Sequence, residues 1–286
     1  MSDGLRLGYV GLGNIGGPMA ARLAAESAVT VFDVSADAVA TAVDAGAVAA
    51  ADLGTLAGAS DLVSVCVRDD VQVHDVVDGL LPHLAAGSMI AVHSTISPQT
   101  AADEARRCAD RDVILLDAPI SGGAPGAQQG RLAIMIGGDR AAYDRAKRAL
   151  APAGDLIVHA GPAPGDGTRM KLARNLLHFV SFTATTEAAR LAEAAGIDLQ
   201  KLGRVVRHTD EITGGAGAIM LRETTAPIAE DDFWHGVFTH VRDLGEKDLD
   251  LALAAADVLG VDLPLARRAR TDLAAGLGVP HTEGER

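Results

Sequence analysis

The chain has 286 residues, 48% of them apolar and only 3% aromatic, and its 25 basic side chains against 38 acidic ones leave a formal net charge of −13. That acidity argues against nucleic acid or an anionic membrane surface as the main partner, and the length suits one large domain or two. Two cysteines, Cys66 and Cys108, make no disulfide framework, and no apolar run approaches the ~18 residues of a membrane span.

Residues 5–10 read as a short apolar strand. Gly11-Leu12-Gly13-Asn14-Ile15-Gly16 follows at once, then an Ala-rich helix over 18–25 and a second strand over 29–32 that ends at Asp33. Strand, glycine turn, helix, strand and acidic residue together form the context of a dinucleotide fingerprint. Each glycine has a task there. Gly11 permits the tight turn, Gly13 lets the backbone approach a pyrophosphate, and Gly16 allows close helix–strand contact. The N-terminus of the helix then faces the phosphates. Asp33 selects the cofactor: its carboxylate can hold the ribose hydroxyls of NAD and would repel the 2′-phosphate of NADP. Val34 and Ser35 offer no arginine for that phosphate.

The alternation continues. Strands are expected over 61–67, 88–93, 113–116, 132–136 and 156–158, with helical patterns between them. This predicts a parallel, doubly wound sheet of α/β class. Ligands of such sheets sit beyond the carboxyl ends of the strands, so the loops after Val67, His93 and Leu116 should face the same crevice as Gly11–Gly16. Cys66, inside an apolar run, reads as a buried, reduced thiol.

Strand signals stop at the cluster Gly161-Pro162-Ala163-Pro164-Gly165, which marks a domain boundary. Residues 1–164 form the expected nucleotide-binding domain and 165–286 an all-helical one. The second opens with a long helix over 167–195, roughly 40 Å at ~1.5 Å per residue, which can belong to both domains. Asp166 can cap its first turn and Gly196 suits its left-handed stop. Its apolar residues fall on nearly every face, which predicts a buried helix and, for a small helical domain, self-association into a homodimer or homotetramer. Further helices are expected over 199–207, 237–259 and 263–276, and a polar, disordered tail over 280–286.

Several groups could carry chemistry. In the run Ser121-Gly122-Gly123-Ala124-Pro125-Gly126-Ala127-Gln128-Gln129-Gly130, read as a loop, backbone N–H groups can converge on an anion, with the Ser121 hydroxyl as a further donor. With no basic residue before Arg131, a carboxylate fits better than a phosphate; a bare turn is the plainer reading. Lys171 is a candidate acid/base for hydride transfer at an alcohol carbon, and Asn175, one turn on, can hold the same oxygen or fix the amine. A surface lysine at a helix end is the competing reading. Lys247, among alternating charges and leucines, reads by itself as part of a solvated helix face, and His178 as a packed histidine. His235 and His240 have no metal-ligand spacing, and no metal is expected.

Taken together, GYVGLGNIGGPMA at 8–20, DAPISGGAPGAQQG at 117–130, the spacing Gly167-x-x-x-Lys171-x-x-x-Asn175 and KDLDLAL at 247–253 resemble the β-hydroxyacid dehydrogenase family. This is the group that holds 3-hydroxyisobutyrate dehydrogenase and tartronate semialdehyde reductase. The resemblance covers nearly the whole chain in the family's order. It implies a Rossmann-like first half and a helical second half like that of 6-phosphogluconate dehydrogenase. It also implies roles: Lys171 as catalytic acid/base, Ser121, Gly122 and Gly123 on the substrate carboxylate, and Asn175 on the reacting oxygen. Thr95, Val67, Arg68 and Lys247 would touch the cofactor. Ile15 stands where the family usually has Met, and the turn Val67-Arg68-Asp69 lacks a proline common there. Residues 209–240 do not follow the best-known members. Relatives that reduce imines replace the catalytic lysine, so Lys171 argues for alcohol or aldehyde chemistry.

The expected activity is NAD-dependent oxidation of a small β-hydroxy acid to its semialdehyde or keto acid, or the reverse. Two other readings stay open: a short-chain semialdehyde or glyoxylate reductase using NADH or NADPH, and a non-catalytic dinucleotide-binding scaffold or sensor. A decarboxylating sugar-phosphate dehydrogenase would need a longer chain and basic residues in the substrate loop. With no basic leader followed by an apolar signal core, the expected compartment is the cytoplasm.

Overall fold

The computed structural model of the chain describes residues 4–281. The chain divides into two compact units, Met1–Arg174 and Asn175–Arg286. The first alternates strand and helix: β1 (Leu7–Val10), α1 (Gly16–Ala24), β2 (Val29–Phe32), α2 (Ala36–Asp44), β3 (Val48–Ala49), α3 (Leu53–Gly58), β4 (Leu62–Val65), α4 (Asp70–Leu80), β5 (Met89–Val92), α5 (Pro98–Ala109) and β6 (Ile114–Asp117). Then come β7 (Ile120–Ser121), α6 (Gly123–Gln129), β8 (Ala133–Gly137), α7 (Arg140–Leu150) and β9 (Leu156–Gly161).

One sheet runs in the order β3-β2-β1-β4-β5-β6-β8-β7, with β9 paired to β8. Strands β1 to β6 are parallel, as the alternation predicts. The wholly parallel sheet expected from sequence is corrected beyond that point. Strand β8 lies antiparallel to β6 and β7, and β9 is parallel to β8. The cause is local: β6 passes through the short β7 and the short α6 into β8, without the long crossover helix that a parallel return requires. The run from Ser121 to Gly130 is likewise a strand end and a helix rather than a loop.

Period-2 alternation sends each strand's side chains to opposite faces. Leu7, Tyr9, Leu62, Met89 and Ala91 join one core with Met19 and Leu23 of α1 and Tyr143 of α7. Val10, Val63, Val65, Ile90 and Val92 join a second with Leu56 of α3, Val77 of α4 and Ala101 of α5. The parallel strands end level, since Val10 is opposite Phe32 and Val65, Val65 opposite Val92, and Val92 opposite Asp117.

Helix α8 (Asp166–Ala194) begins in the first unit and continues in the second, which also holds α9 (Leu199–Thr213), α10 (Phe233–Leu259) and α11 (Pro264–Leu277). Its small core gathers Phe238, Leu277 and Val279, with Trp234 and Leu273 against them. Buried Glu187 of α8 accepts hydrogen bonds from Leu265 N (2.8 Å) and Ala266 N (2.9 Å), capping α11. The expectation of a buried α8 is corrected in the single chain. Leu176, Phe179 and Phe182 are 68%, 60% and 53% exposed, because the cluster of Phe238, Leu277 and Val279 is too small a core to cover a helix that is apolar all round. Gly196 takes the expected left-handed conformation (φ 73°). The capping assigned to Asp166 falls instead to Asp117, whose oxygens accept from Gly165 N and Thr168 N. Of the expected disordered tail, residues 282–286 lie outside the described residues.

Candidate functional site

The level strand ends bring the predicted loops of the first unit to one edge. Backbone hydrogen bonds continue the sheet one step beyond it: Gly11 N to Phe32 O (3.1 Å), Cys66 N to Val10 O (2.9 Å), His93 N to Val65 O (2.8 Å) and Ala118 N to Val92 O (2.8 Å).

The glycine turn has the geometry its spacing requires. Gly11 has φ 91°, and a Cβ there would stand 2.3 Å from Cys66 O; one on Gly16 would stand 2.0 Å from Gly11 O. Close backbone approach therefore forbids a side chain at both. A Cβ on Gly13 would meet no atom within 4 Å, so that backbone faces open space. Helix α1 starts without a side-chain cap, whereas Ser35, Asp69 and Ser97 cap α2, α4 and α5. Its first N–H groups and positive dipole end suit an anion. Leu12 is buried, Ile15 packs on the core and Asn14 is exposed.

Asp33 is partly buried. Its Oδ2 accepts from Leu12 N at 2.6 Å and its Oδ1 from Ser35 N at 2.8 Å, which ties the β2 turn to the glycine turn. A carboxylate offers about four acceptor sites, so two such bonds leave capacity for ribose hydroxyls. Across the edge, Ser94 Oγ accepts from Val67 N (2.9 Å) and donates to Val67 O (2.7 Å), which clamps the Val67-Arg68 turn to the loop that carries Thr95. The Arg68 side chain and Thr95 are exposed.

A cavity of about 500 Å3 opens between these turns, with Gly11, Gly13, Asp33 and Val34 on one side and Cys66, Val67 and Arg68 on the other. Val10 and Phe32 at the strand ends line it too, and so do four helix-side residues, Leu53 at the start of α3 and Gln72, Asp75 and Val76 of α4. Sequence reasoning missed these four. The available signal was weak: 72, 75 and 76 share one helix face directly after the Val67-Arg68 turn. The cradle at Gly13, the uncapped α1 and the free acceptor capacity of Asp33 fit a dinucleotide.

Cys66 is only partly buried, but burial still pushes its thiol up to about 11, and both cysteines are free. His93 is buried, with Nδ1 2.8 Å from Ala118 O and Nε2 3.0 Å from Ser64 Oγ. Burial holds its pKa at about 4, so at neutral pH it is uncharged, donating from Nδ1 to the carbonyl and accepting from the serine. It braces three strand ends and has no nitrogen left for a substrate.

Lys171 lies in the second turn of α8 and is buried at 8% exposure. Burial, and then the neighbouring Arg174 charge, lower its pKa from the ordinary 10.5. An amine this far buried is not a solvated surface lysine. Ser121 is partly buried, while Gly122 and Gly123 are exposed with φ 131° and 63°, leading into α6. In the second unit, Asn175 of α8 is partly buried, and Lys247 of α10 is exposed and pairs with Asp248 at 2.6 Å. His178 packs against Phe182, with ring centroids 4.3 Å apart. Among the described residues no group of three or more His, Cys, Asp or Glu could hold a metal, and no helix is long and apolar enough to cross a membrane.

A glycine-turned α/β sheet with an acidic residue closing β2 defines the class of dinucleotide-binding proteins. A sequence profile for the NAD binding domain of 6-phosphogluconate dehydrogenase matches residues 6–161, and one for the NAD-binding domain of NADP-dependent 3-hydroxyisobutyrate dehydrogenase matches 165–279. The chain belongs to the β-hydroxyacid dehydrogenase family of oxidoreductases. It is 35% identical to a 3-hydroxyisobutyrate dehydrogenase of Pseudomonas aeruginosa, over 92% of this chain and 89% of that one. It is 33% identical to an NAD-dependent L-serine dehydrogenase of the same organism, over 91% and 88%. A crystal structure from Mycobacterium avium is similar at a TM-score of 0.94 and 52% identity, covering 97% of this chain and 100% of that one.

Proposed function

We propose that the protein is an NAD-dependent dehydrogenase of small β-hydroxy acids, forming a semialdehyde or keto acid or running the reverse reduction. The observation that carries the reading is Lys171, a buried amine with a lowered pKa at the position where the family's motif has its lysine. Both Pseudomonas relatives are named for β-hydroxy acids, which supports the substrate class.

Gly11, Leu12, Gly13, Asn14, Ile15, Gly16, Asp33, Val67, Arg68, Thr95 and Lys247 would hold the cofactor, whose nicotinamide supplies the hydride acceptor. Neutral Lys171 takes the hydroxyl proton in oxidation and returns it in reduction. Asn175 holds the reacting oxygen, and Ser121 with the N–H groups of Gly122 and Gly123 holds the carboxylate. Asp33 favours NAD, since a 2′-phosphate would meet its charge. Residues 1–164 act as the cofactor domain, and 165–286 close over substrate and associate with a second copy of the chain. The exposed Phe179 and Phe182 support that association, and light scattering that gives a monomer would overturn it. The free thiols of Cys66 and Cys108 suit the cytoplasm.

A panel of hydroxy acids with NAD, read as NADH absorbance, tests the activity. Turnover confined to semialdehydes or glyoxylate with NADH would point to a reductase. Lys171→Ala should lower kcat by ~10²-fold or more with NAD binding retained, and wild-type-like turnover would sink the assignment. Because burial favours the neutral amine, oxidative kcat should rise with pH to a half-point below the 10.5 of an ordinary lysine. A half-point at or above that value contradicts the role.

A further inference from the structure

We infer that Asp117 is a positioning residue for Lys171: the Asp117 carboxylate anchors the first turn of α8 to the sheet and thereby sets where the lysine stands. The inference rests on the reading of Lys171 as the acid/base.

Asp117 ends β6, opposite Gly137 of β8, and is fully buried. Its Oδ1 accepts from Gly165 N at 2.8 Å and its Oδ2 from Thr168 N at 2.6 Å. Donors at the start of a helix have no intrahelical acceptor, and the positive end of the helix favours an anion there. Both oxygens of a buried carboxylate are thus used by one helix start, which offsets the cost of burying it. Asp166, by contrast, serves the approach to the helix, accepting from Ala163 N at 3.0 Å and pairing with Arg169 at 2.9 Å.

The joint has no slack. A Cβ on Gly167 would stand 2.3 Å from Met135 O and 2.7 Å from Asp117 O. One on Gly137 would stand 2.4 Å from Asp117 Oδ1 and 2.6 Å from Gly167 N. Backbone of β6, β8 and α8 meets directly, and the Asp117 side chain is the polar bolt between them. Lys171 follows Gly167 by four residues, so it emerges on the same helix face as the residue wedged into the joint. A shift or rotation of the first turn carries the amine with it. A misplacement of ~1 Å of a reacting group can cost ~10²-fold in rate.

Asp117→Asn keeps the size but turns one acceptor into a donor facing an N–H group. It should lower kcat by about tenfold to a hundredfold per folded molecule. The Kd for NAD should stay within about twofold, because the glycine turn and Asp33 are untouched, and the KM for the hydroxy acid should move less than kcat, because Ser121, Gly122 and Gly123 are unchanged. The deciding measurement is a cycle with Lys171→Ala. If Asp117 acts through the lysine, the double variant turns over no more slowly than Lys171→Ala alone, whereas multiplied losses overturn the inference. Wild-type kcat in Asp117→Asn also overturns it while leaving Lys171 in place. Wild-type turnover in Lys171→Ala instead removes the acid/base reading itself. Should Asp117→Asn not fold, hydrogen exchange in the wild-type protein decides. In the wild-type protein the amides of Gly165 and Thr168 should resist hydrogen exchange; exchange as fast as at an uncapped helix start would also overturn the proposal.

Discussion

The sheet-based unit buries its apolar side chains on two faces, and the helical unit leaves many of its largest ones in water. Ile90 and Val92 are fully buried in one strand of the first. In the second, Val258 is 87% exposed, Ile212 72% and Leu176 68%. A parallel sheet covered by its own crossover helices closes its core within one chain. A set of helices with apolar residues on several faces closes only when another surface is supplied. The first unit should therefore owe its stability to internal packing, and the second should owe much of its own to capping and association.

Substitutions can break that contrast. Ile90→Ala should cost the first unit about 2–5 kcal/mol in urea unfolding, and a cost near zero would show that its core is not as closed as described. Acid should reach the same unit through His93. Burial holds its pKa at about 4 in the folded state against 6.5 ordinarily, so the unfolded chain binds the proton first. Stability is intact above pH 6.5, falls as pH drops through that window, and has lost about 3 kcal/mol by pH 4. His93→Gln should flatten this fall, and an unchanged pH profile would remove His93 as its cause. In the helical unit, Glu187→Ala should cost about 0.5–2 kcal/mol by freeing the first N–H groups of α11, read as a drop in Tm. Val258→Ala should change stability by no more than about 0.5 kcal/mol, and a larger loss would mean that this exposed side chain is covered in solution.

The parts of the fold that were legible in the sequence are those in which local pattern and burial agree. The runs at Leu7–Val10, Leu62–Val65 and Met89–Val92 are short, apolar and followed by turn residues, and each is a buried strand. The glycine turn was legible residue by residue, because backbone crowding at Gly11 and Gly16 and openness at Gly13 follow from spacing alone. Elsewhere the pattern misled. Ser121–Gly130 is rich in glycine and reads as a loop, yet Gly123–Gln129 is helical. The antiparallel β8 carries no mark in its own composition, since strand direction is set by the connection before it. Apolar residues around α8 suggested burial, but periodicity reports which faces are apolar and not whether this chain alone covers them. Of the candidate site, the placement of Asp33 at the end of β2 was legible and Lys171 stood out without its burial being decided, whereas Leu53, Gln72, Asp75 and Val76 became visible only when the cavity gathered them. The capping role of Asp117 has no local signature in the sequence, because the carboxylate lies 48 residues before the Gly165 it serves.

The level ends of Phe32, Val10, Val65, Val92 and Asp117 have a consequence for engineering. Each connecting segment leaves the sheet from the same height, but Asp33 ties the segment after Phe32 to the one after Val10, and Ser94 ties the one after Val92 to the one after Val65, so the segments can be exchanged for a relative's only as two pairs. The edge works as a row of sockets. Grafting the pair that follows Val10 and Phe32 should retune cofactor preference, and grafting the pair that follows Val65 and Val92 should retune its grip, with the strands unchanged beneath.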